Sequence, residues 1–378
     1  MTININRCGF RSTKEKENIM GYEIDFLPVG KDKSGDAILV RYGNLHGPRA
    51  EQKVIVIDAG YPETGKAVVE HMKTHYGTNE IDLVISTHPD QDHAGGLETV
   101  VKECTVGQLW MHQPWNHTKD IAEMFVHGRV TDQSVKNSLR KSLDEAHDLE
   151  ALAKKRGIPI IEPFAGTHFD NKSVFVLGPT KEFYEGLLPA FRCTPEAKQE
   201  GSLLKGLIAG ATEFIKTLAE GWDIETLGTP TEDTTAENNS STILLFQFGD
   251  HSALLTSDAG LPALVPALQI LQNANYDMSK ISFVQVPHHG SARNVSSDLL
   301  DGLLGAKLAQ ETRTRTAFVS VAGSDNPKHP SKKVTNAFRR RGAPVHATAS
   351  DAKCHFKDSP GRGWGPSIAL PLFPEVEE

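Results

Sequence analysis

Cysteine is scarce. Four residues (Cys8, Cys104, Cys193 and Cys354) lie scattered through 378, with no CxxC spacing. That excludes a dense disulfide framework and a cysteine zinc site, and it suits a reducing compartment. Long apolar runs are also missing: none approaches the roughly 18 residues that a membrane span requires. The opening stretch, Met1 to Arg7, lacks the charged-then-apolar plan of a secretory signal. Net positive charge is absent too. The formal charge of −8 disfavours bulk nucleic-acid binding by the chain as a whole. The expectation is a soluble, cytoplasmic protein with no membrane partner.

Charge is unevenly spread. Residues 306–357 carry eleven Lys/Arg against three Asp/Glu, so an acidic body precedes a basic C-terminal portion. Such a segment suits an anionic substrate, or else forms a solvated basic helix.

The densest chemistry lies in Ile85-Ser-Thr-His88-Pro-Asp90-Gln-Asp92-His93-Ala-Gly-Gly96. Four metal-capable side chains fall within six residues. They follow the apolar run Ile81-Asp-Leu-Val-Ile85, which reads as a buried strand, and precede a glycine pair that lets the chain turn into a helix near Leu97. A strand end followed by a tight turn can aim all four at one point, and imidazole and carboxylate are what Zn²⁺ or Mn²⁺ accept.

This stretch resembles the His-x-[His/Asp]-x-Asp-His signature of the metallo-β-lactamase fold, and in particular the hydrolase domain of ComEC-type DNA-uptake proteins. The resemblance implies an α/β fold, an αββα sandwich of two mixed sheets with helices outside. We expect a single domain over residues 1–378, with helical inserts near 118–155 and 181–228. In the second insert, apolar residues from Leu204 to Trp222 recur at helical spacing, a stripe suited to packing on the body or on a second copy in a homodimer.

Other segments add to the resemblance. Gly30 to Asp36 looks like the family's Gly-x-Gly-Asp turn, lengthened, and Ile57-Asp58-Ala-Gly60 like its Ile-Asp-Gly-Gly. In that comparison Asp36 would sit close to the metals, behind the ligands, and Asp58 is expected to hold a ligand histidine or its turn. Asn238 to Phe248 resembles the Asn-x-Ser-Ser-hydrophobic stretch. Asp258, before Gly260, matches a carboxylate that bridges two metals. Pro287-His288-His289-Gly290-Ser291 matches His-His-Gly-Ser, and the segment through Lys328, His329 and Pro330 looks like the later His-Pro loop. Strands are also expected at Thr316–Val321 and Pro366–Phe373.

The resemblance implies two divalent ions, Zn²⁺ or Mn²⁺. His88 and Asp90 would hold the first, Asp92, His93 and His289 the second, and Asp258 both. Asp92, His288 and His329 are the catalytic candidates, and Ser291, Arg293, Asn294 and Lys328 the substrate-binding ones. The sequence departs from the parent pattern at Leu177-Gly-Pro-Thr180, where a third histidine is expected and none stands. His112, His117 and His168 could substitute.

The implied function is metal-assisted hydrolysis of a phosphodiester, DNA or RNA, by a shared hydroxide. The alternatives are a hydrolase of small phosphodiesters or other esters, and a non-catalytic binding module with an incomplete metal site.

Overall fold

The structure is a computed structural model that describes residues 20–377 apart from 31–32, 127, 196, 198–216, 324–328 and 350. Its strands form two seven-stranded mixed sheets. The first runs in spatial order Lys353–Lys357, Gly21–Phe26, Ala37–Gly43, Gln52–Ala59, Leu83–Ile85, Leu109–Trp110, Ile160–Ile161. The second runs Val345–Ala347, Thr316–Val319, Ile281–Gln285, His251–Leu255, Ile243–Phe248, Val174–Gly178, His168–Phe169. Each sheet has an antiparallel half and a parallel half.

Residue alternation explains the layers. In Val54-Ile55-Val56-Ile57 every side chain is buried, but the two faces enter different cores. Ile55 and Ile57 meet Phe246, Phe283 and Phe318 between the sheets. Val54 and Val56 face a second core with Val68, Met72, Leu97 and Val100, on helices outside the first sheet. A third core joins the second sheet to the helices Leu261–Asn273, Ser297–Leu304 and Lys332–Arg340. Strands buried on both faces read as continuous β-branched runs, as here. Three cores between four layers constitute the αββα sandwich.

The parallel halves point their C-terminal strand ends to the same edge, where open α/β sheets place their sites. Close packing there leaves no space for side chains at two glycines. A Cβ on Gly96 would lie 2.1 Å from the Ala59 carbonyl oxygen, and one on Gly35 would lie 2.4 Å from that of Asp92. The turn of the central motif is thereby pressed against the strand carrying Asp58 and the loop carrying Asp36.

Several expectations need correction. Pro366–Phe373 is not a strand: Pro366 and Pro371 offer no N–H, and the segment runs as coil with Leu370 N donating to Val345 O. Strands form instead at Lys353–Lys357 and Glu375–Glu377. The insert at 118–155 supplies two helices, Asp132–Ser142 and Asp144–Lys155. Most of the 203–222 stripe lies outside the described residues. Its end is not helical: Thr217–Ala219 is a strand paired with Glu375–Glu377, and Trp222 Nε1 donates to Leu308 O. Among the described residues no helix is long and apolar enough to cross a membrane.

Candidate metal centre

Four strand ends deliver the site. Asp58 closes Gln52–Ala59, His88 follows Leu83–Ile85, Asp258 follows His251–Leu255, and His288 and His289 follow Ile281–Gln285. Asp58, Ser257, His288 and His289 all take positive φ, between 46° and 55°. This region is costly for non-glycine residues and recurs where a site dictates the backbone.

His93 is the hub. Its Nε2 lies 3.5 Å from Asp258 Oδ2 and 3.9 Å from Asp92 Oδ2. His289 Nε2 lies 3.7 Å from Asp92 Oδ2 and 3.8 Å from Asp258 Oδ2. The rings of His88 and His93 are 4.2 Å apart at their centroids. Three overlapping groups, Asp58–His88–His93, Asp92–His93–His289 and Asp36–His93–Asp258, each bring their ligand atoms within 4.8 Å of one another.

The outward nitrogens are set by what holds the inward ones. His93 Nδ1 donates to Asp58 Oδ2 at 2.9 Å, and His289 Nδ1 to the Ser320 carbonyl at 3.0 Å. Thr87 Oγ1 donates to Asp58 at 2.6 Å, so His88 Nδ1, 3.2 Å from that oxygen and 3.4 Å from Ser257 Oγ, donates in turn. Each arrangement leaves the Nε2 lone pair facing the centre. The Nε2 atoms of His88, His93 and His289, together with Asp258 Oδ1, are buried and have no hydrogen-bond partner among the described residues. An unsatisfied buried polar atom costs about 1–3 kcal/mol. Such atoms, on side chains that cluster around His93, fit a divalent cation.

Electrostatics agree. Burial opposes charge on Asp258, yet His288, His93 and His289 hold its carboxyl well below the usual range. Burial likewise opposes charge on Asp92, which the same two histidines, His93 and His289, bring down to about 2. Burial and the adjacent His93 lower His88 to about 4, leaving the neutral imidazole that a metal requires. Burial disfavours protonated His93, but Asp258 and Asp92 raise it well above its ordinary value. The carboxylates around His93 thus favour a positive charge at the middle of the cluster, which a bound cation would supply in place of a proton.

The profile described as "Metallo-beta-lactamase superfamily" matches residues 32–301, most of the chain. This chain belongs to the metallo-beta-lactamase superfamily. Members of that superfamily are generally hydrolases. "ComE operon protein 3" of Bacillus subtilis (strain 168) is 21% identical over a match 350 residues long that covers 89% of this chain. The chain spans about a third of that relative, 33% of its length. Among solved structures, the metallo-beta-lactamase fold protein YhfI from Bacillus subtilis is 9% identical, with coverage of 89% of this chain and 100% of that one and a TM-score of 0.41. The Rm3 metallo-beta-lactamase is 12% identical, with coverage of 74% and 84% and a TM-score of 0.30.

Within this superfamily frame the remaining expectations sort by contact. Asp36 receives Gln285 Nε2 at 2.7 Å and lies 3.8 Å from His93 Nδ1. Asp90 stands at the rim, 4.0 Å from His88 Nε2, and is bound by the Arg192 guanidinium. Asn294 is not free to bind substrate. Its Nδ2 donates to the Asp258 and Ala259 carbonyls and its Oδ1 receives His288 Nδ1 at 2.9 Å. Ser291 shapes the His288 turn, with its N–H on the His288 carbonyl and its Oγ accepting from Arg293 N. The Arg293 guanidinium is engaged by Glu232 at 2.9 Å. Lys328 lies outside the described residues. His329 is half-buried, its ring 6.3 Å from that of His288.

None of the three substitutes for the absent histidine joins a metal-capable group among the described residues. His117 is held between Glu162 and Glu185, His112 stacks on Tyr184, and His168 is exposed beside the Gly166 carbonyl. Much of the basic segment is internally neutralised. Arg340 and Arg341 are buried against Glu220 and Glu225, and Arg339 pairs with Glu311.

Sequence reasoning missed Thr87, Ser257, Gln285 and Ser320, which hold the ligand side chains from behind. Asking what receives the inner nitrogen of each histidine would have pointed to the first two, which adjoin His88 and Asp258. Arg192 carries no local signal.

Proposed function

We propose that this protein is a metal-dependent phosphodiesterase that acts on nucleic acid, DNA or RNA. The observation carrying the reading is the cluster of His88, His93, His289 and Asp258, in which three imidazole nitrogens and Asp258 Oδ1 are buried without hydrogen-bond partners among the described residues. His88, Asp90, Asp92, His93, Asp258 and His289 would hold two divalent ions, and the carboxylate-rich set lets Mn²⁺ compete with Zn²⁺. When bound, such ions lower the pKa of water to about 7 and neutralise phosphoryl oxygens.

The protein's own groups supply orientation and proton handling. Asp92 is partly open, with 28% of its side chain exposed, so its carboxylate can orient an attacking water while it touches His289. His288 is more open than His289, and its side chain is 27% exposed. Asn294 Oδ1 must accept, because its amide group donates elsewhere, so His288 Nδ1 carries a proton, while its Nε2 lies 3.5 Å from Asp258 Oδ2. Asn238 Nδ2 lies 3.3 Å from the same nitrogen and fixes the ring from that side. A nitrogen so placed can take a proton and return it to a departing alkoxide. His329, stacked beside it, suits a hydrogen bond to a phosphate oxygen.

A cavity of about 530 Å³ opens beside Asp90 and Asp92, with Lys33, Tyr61 and Arg192 on its walls. It suits the chain adjoining a scissile phosphate. The ComEC-type resemblance favours nucleic acid over other diesters.

The test is metal analysis followed by assay of Mn²⁺- and Zn²⁺-loaded protein on a chromogenic diester, single-stranded DNA, duplex DNA and RNA. Hydrolysis of nucleic acid that Asp258→Ala abolishes, with binding that weakens steeply as salt rises, is the expected result. Turnover of the small diester alone would move the reading to a small-molecule phosphodiesterase. Metal-free, inactive protein would leave a binding module.

A further inference from the structure

The acidic rim of the centre already carries a cation of the protein's own. Arg192 Nη2 contacts Asp90 Oδ1, across 102 residues of sequence. The arginine is fixed from behind: both its backbone N–H, at 2.6 Å, and its Nε, at 3.2 Å, donate to Glu237 Oε1. The Glu237 side chain is 1% exposed, so this anchor is inside the fold, while the arginine side chain, 63% exposed, leans out over the cavity mouth. A buried carboxylate aiming a half-open guanidinium at a second carboxylate is a built arrangement, in contrast to a loose surface pair. Asp90 is correspondingly the one expected ligand that joins no metal-capable group among the described residues.

We infer that Arg192 is a built-in competitor for the His88–Asp90 half of the centre, so that the protein takes up one divalent ion at Asp92, His93, His289 and Asp258 more tightly than a second. The inference rests on the metal-dependent reading above and adds a hierarchy to it. A carboxylate engaged by guanidinium must exchange that partner before it can ligate a metal, and the two cations repel while both are near. The His88–Asp90 half is also the half with no third histidine, so it has the fewest ligands to offset the exchange. Arg192 is thus a positioning residue that acts through Asp90.

The experiment titrates Mn²⁺ into the chelator-stripped full chain by calorimetry, with ion count per chain from elemental analysis. The wild type is expected to bind a first ion at least tenfold more tightly than a second. Arg192→Ala should tighten the second ion by roughly three- to tenfold, the range for releasing one partly exposed, charge-assisted pair. The first ion should stay within about twofold on the same ground, since no ligand of that half touches Arg192. Glu237→Gln, which loosens the anchor and keeps Arg192, should shift the second ion in the same direction but less. In an Asp90→Asn background Arg192→Ala should no longer tighten the second ion. Equal affinity for both ions in the wild type, or a second ion that weakens in Arg192→Ala, would overturn the inference and leave the hydrolase reading intact. No bound ion in any variant would overturn both.

Discussion

Asp58 Oδ2 accepts the Nδ1 proton of His93 at 2.9 Å, while the same carboxylate holds the backbone N–H and hydroxyl of Thr87 at 2.8 and 2.6 Å. One side chain thus orients the hub imidazole and pins the turn that carries His88. Asp58→Asn keeps the shape but replaces one acceptor oxygen with a donor group, leaving His93 or Thr87 without its partner. Metal affinity is expected to fall about 10- to 100-fold, the usual effect of losing a group that orients a ligand histidine. Stability should fall by about 1–3 kcal/mol from the unpaired buried donor. Calorimetric titration and urea unfolding check the two separately. Unchanged affinity would mean that Asp58 does not orient His93.

The two adjacent histidines should separate cleanly. His289 is buried, with Nδ1 pinned and Nε2 turned inward, so His289→Ala should lose bound metal. His288 is held by Asn294 and Asn238 and is partly exposed. His288→Ala should keep its metal and lose turnover by roughly 100-fold or more, the range for a general acid–base group. Metal content and kcat measured on the same preparations decide the assignment, and loss of metal from both variants would contradict it.

Arg340 tests where the basic segment is used. Its guanidinium and the Glu220 carboxylate are both 0% exposed, and it also donates to the Gly221, Trp222 and Ile224 carbonyls. Arg340→Ala strands a buried carboxylate and should cost about 3–5 kcal/mol. The midpoint of urea unfolding should drop accordingly, while nucleic-acid binding at permissive temperature should hardly change. A variant of full stability with weakened substrate binding would place this arginine on the substrate surface.

The pH dependence of stability should carry a mark of His117. Burial lowers the pKa of this imidazole, but its hydrogen bonds to Glu162 and Glu185 outweigh that and raise it. A raised folded-state value means stability that is fully present below the unfolded value of about 6.5 and is lost as pH rises through the folded value. The glutamates are 20% and 40% exposed, so the gain is screened and should stay near 1 kcal/mol or less. Wild type and His117→Gln, compared by urea unfolding at pH 6 and pH 9, should differ more at pH 6. An equal difference at both would mean that the imidazole is not charged by its glutamate partners.

The fold was largely legible because its signals are local. The strands Gly21–Phe26, Ala37–Gly43, Gln52–Ala59 and Ile281–Gln285 each fall where apolar or β-branched runs meet turn residues. The helix Leu97–Glu103 begins where the glycine pair allows. Pro366–Phe373 misled because its apolar spacing suits a strand while its prolines cannot donate to a ladder. The stripe ending at Trp222 misled in the other direction. Its last residues keep helical spacing, but Thr217–Ala219 gains more from pairing with Glu375–Glu377, a partner more than 150 residues away that no local window contains.

By itself, then, the chain's sequence determined most of the central strands, the crowding of His88, Asp90, Asp92 and His93 into one turn, and the presence of Asp258 and His288–His289 at other strand ends. These follow from side-chain alternation and from backbone preferences that act over a few residues. Tertiary structure alone decided which acceptor holds each imidazole, which of two neighbouring histidines turns inward, and whether a basic residue faces solvent or a buried glutamate. It also decided that Arg192 reaches Asp90. Such pairings depend on how two sheets stack and where their connections return, and a hydrogen bond of 3 Å leaves no periodicity in the chain to announce it.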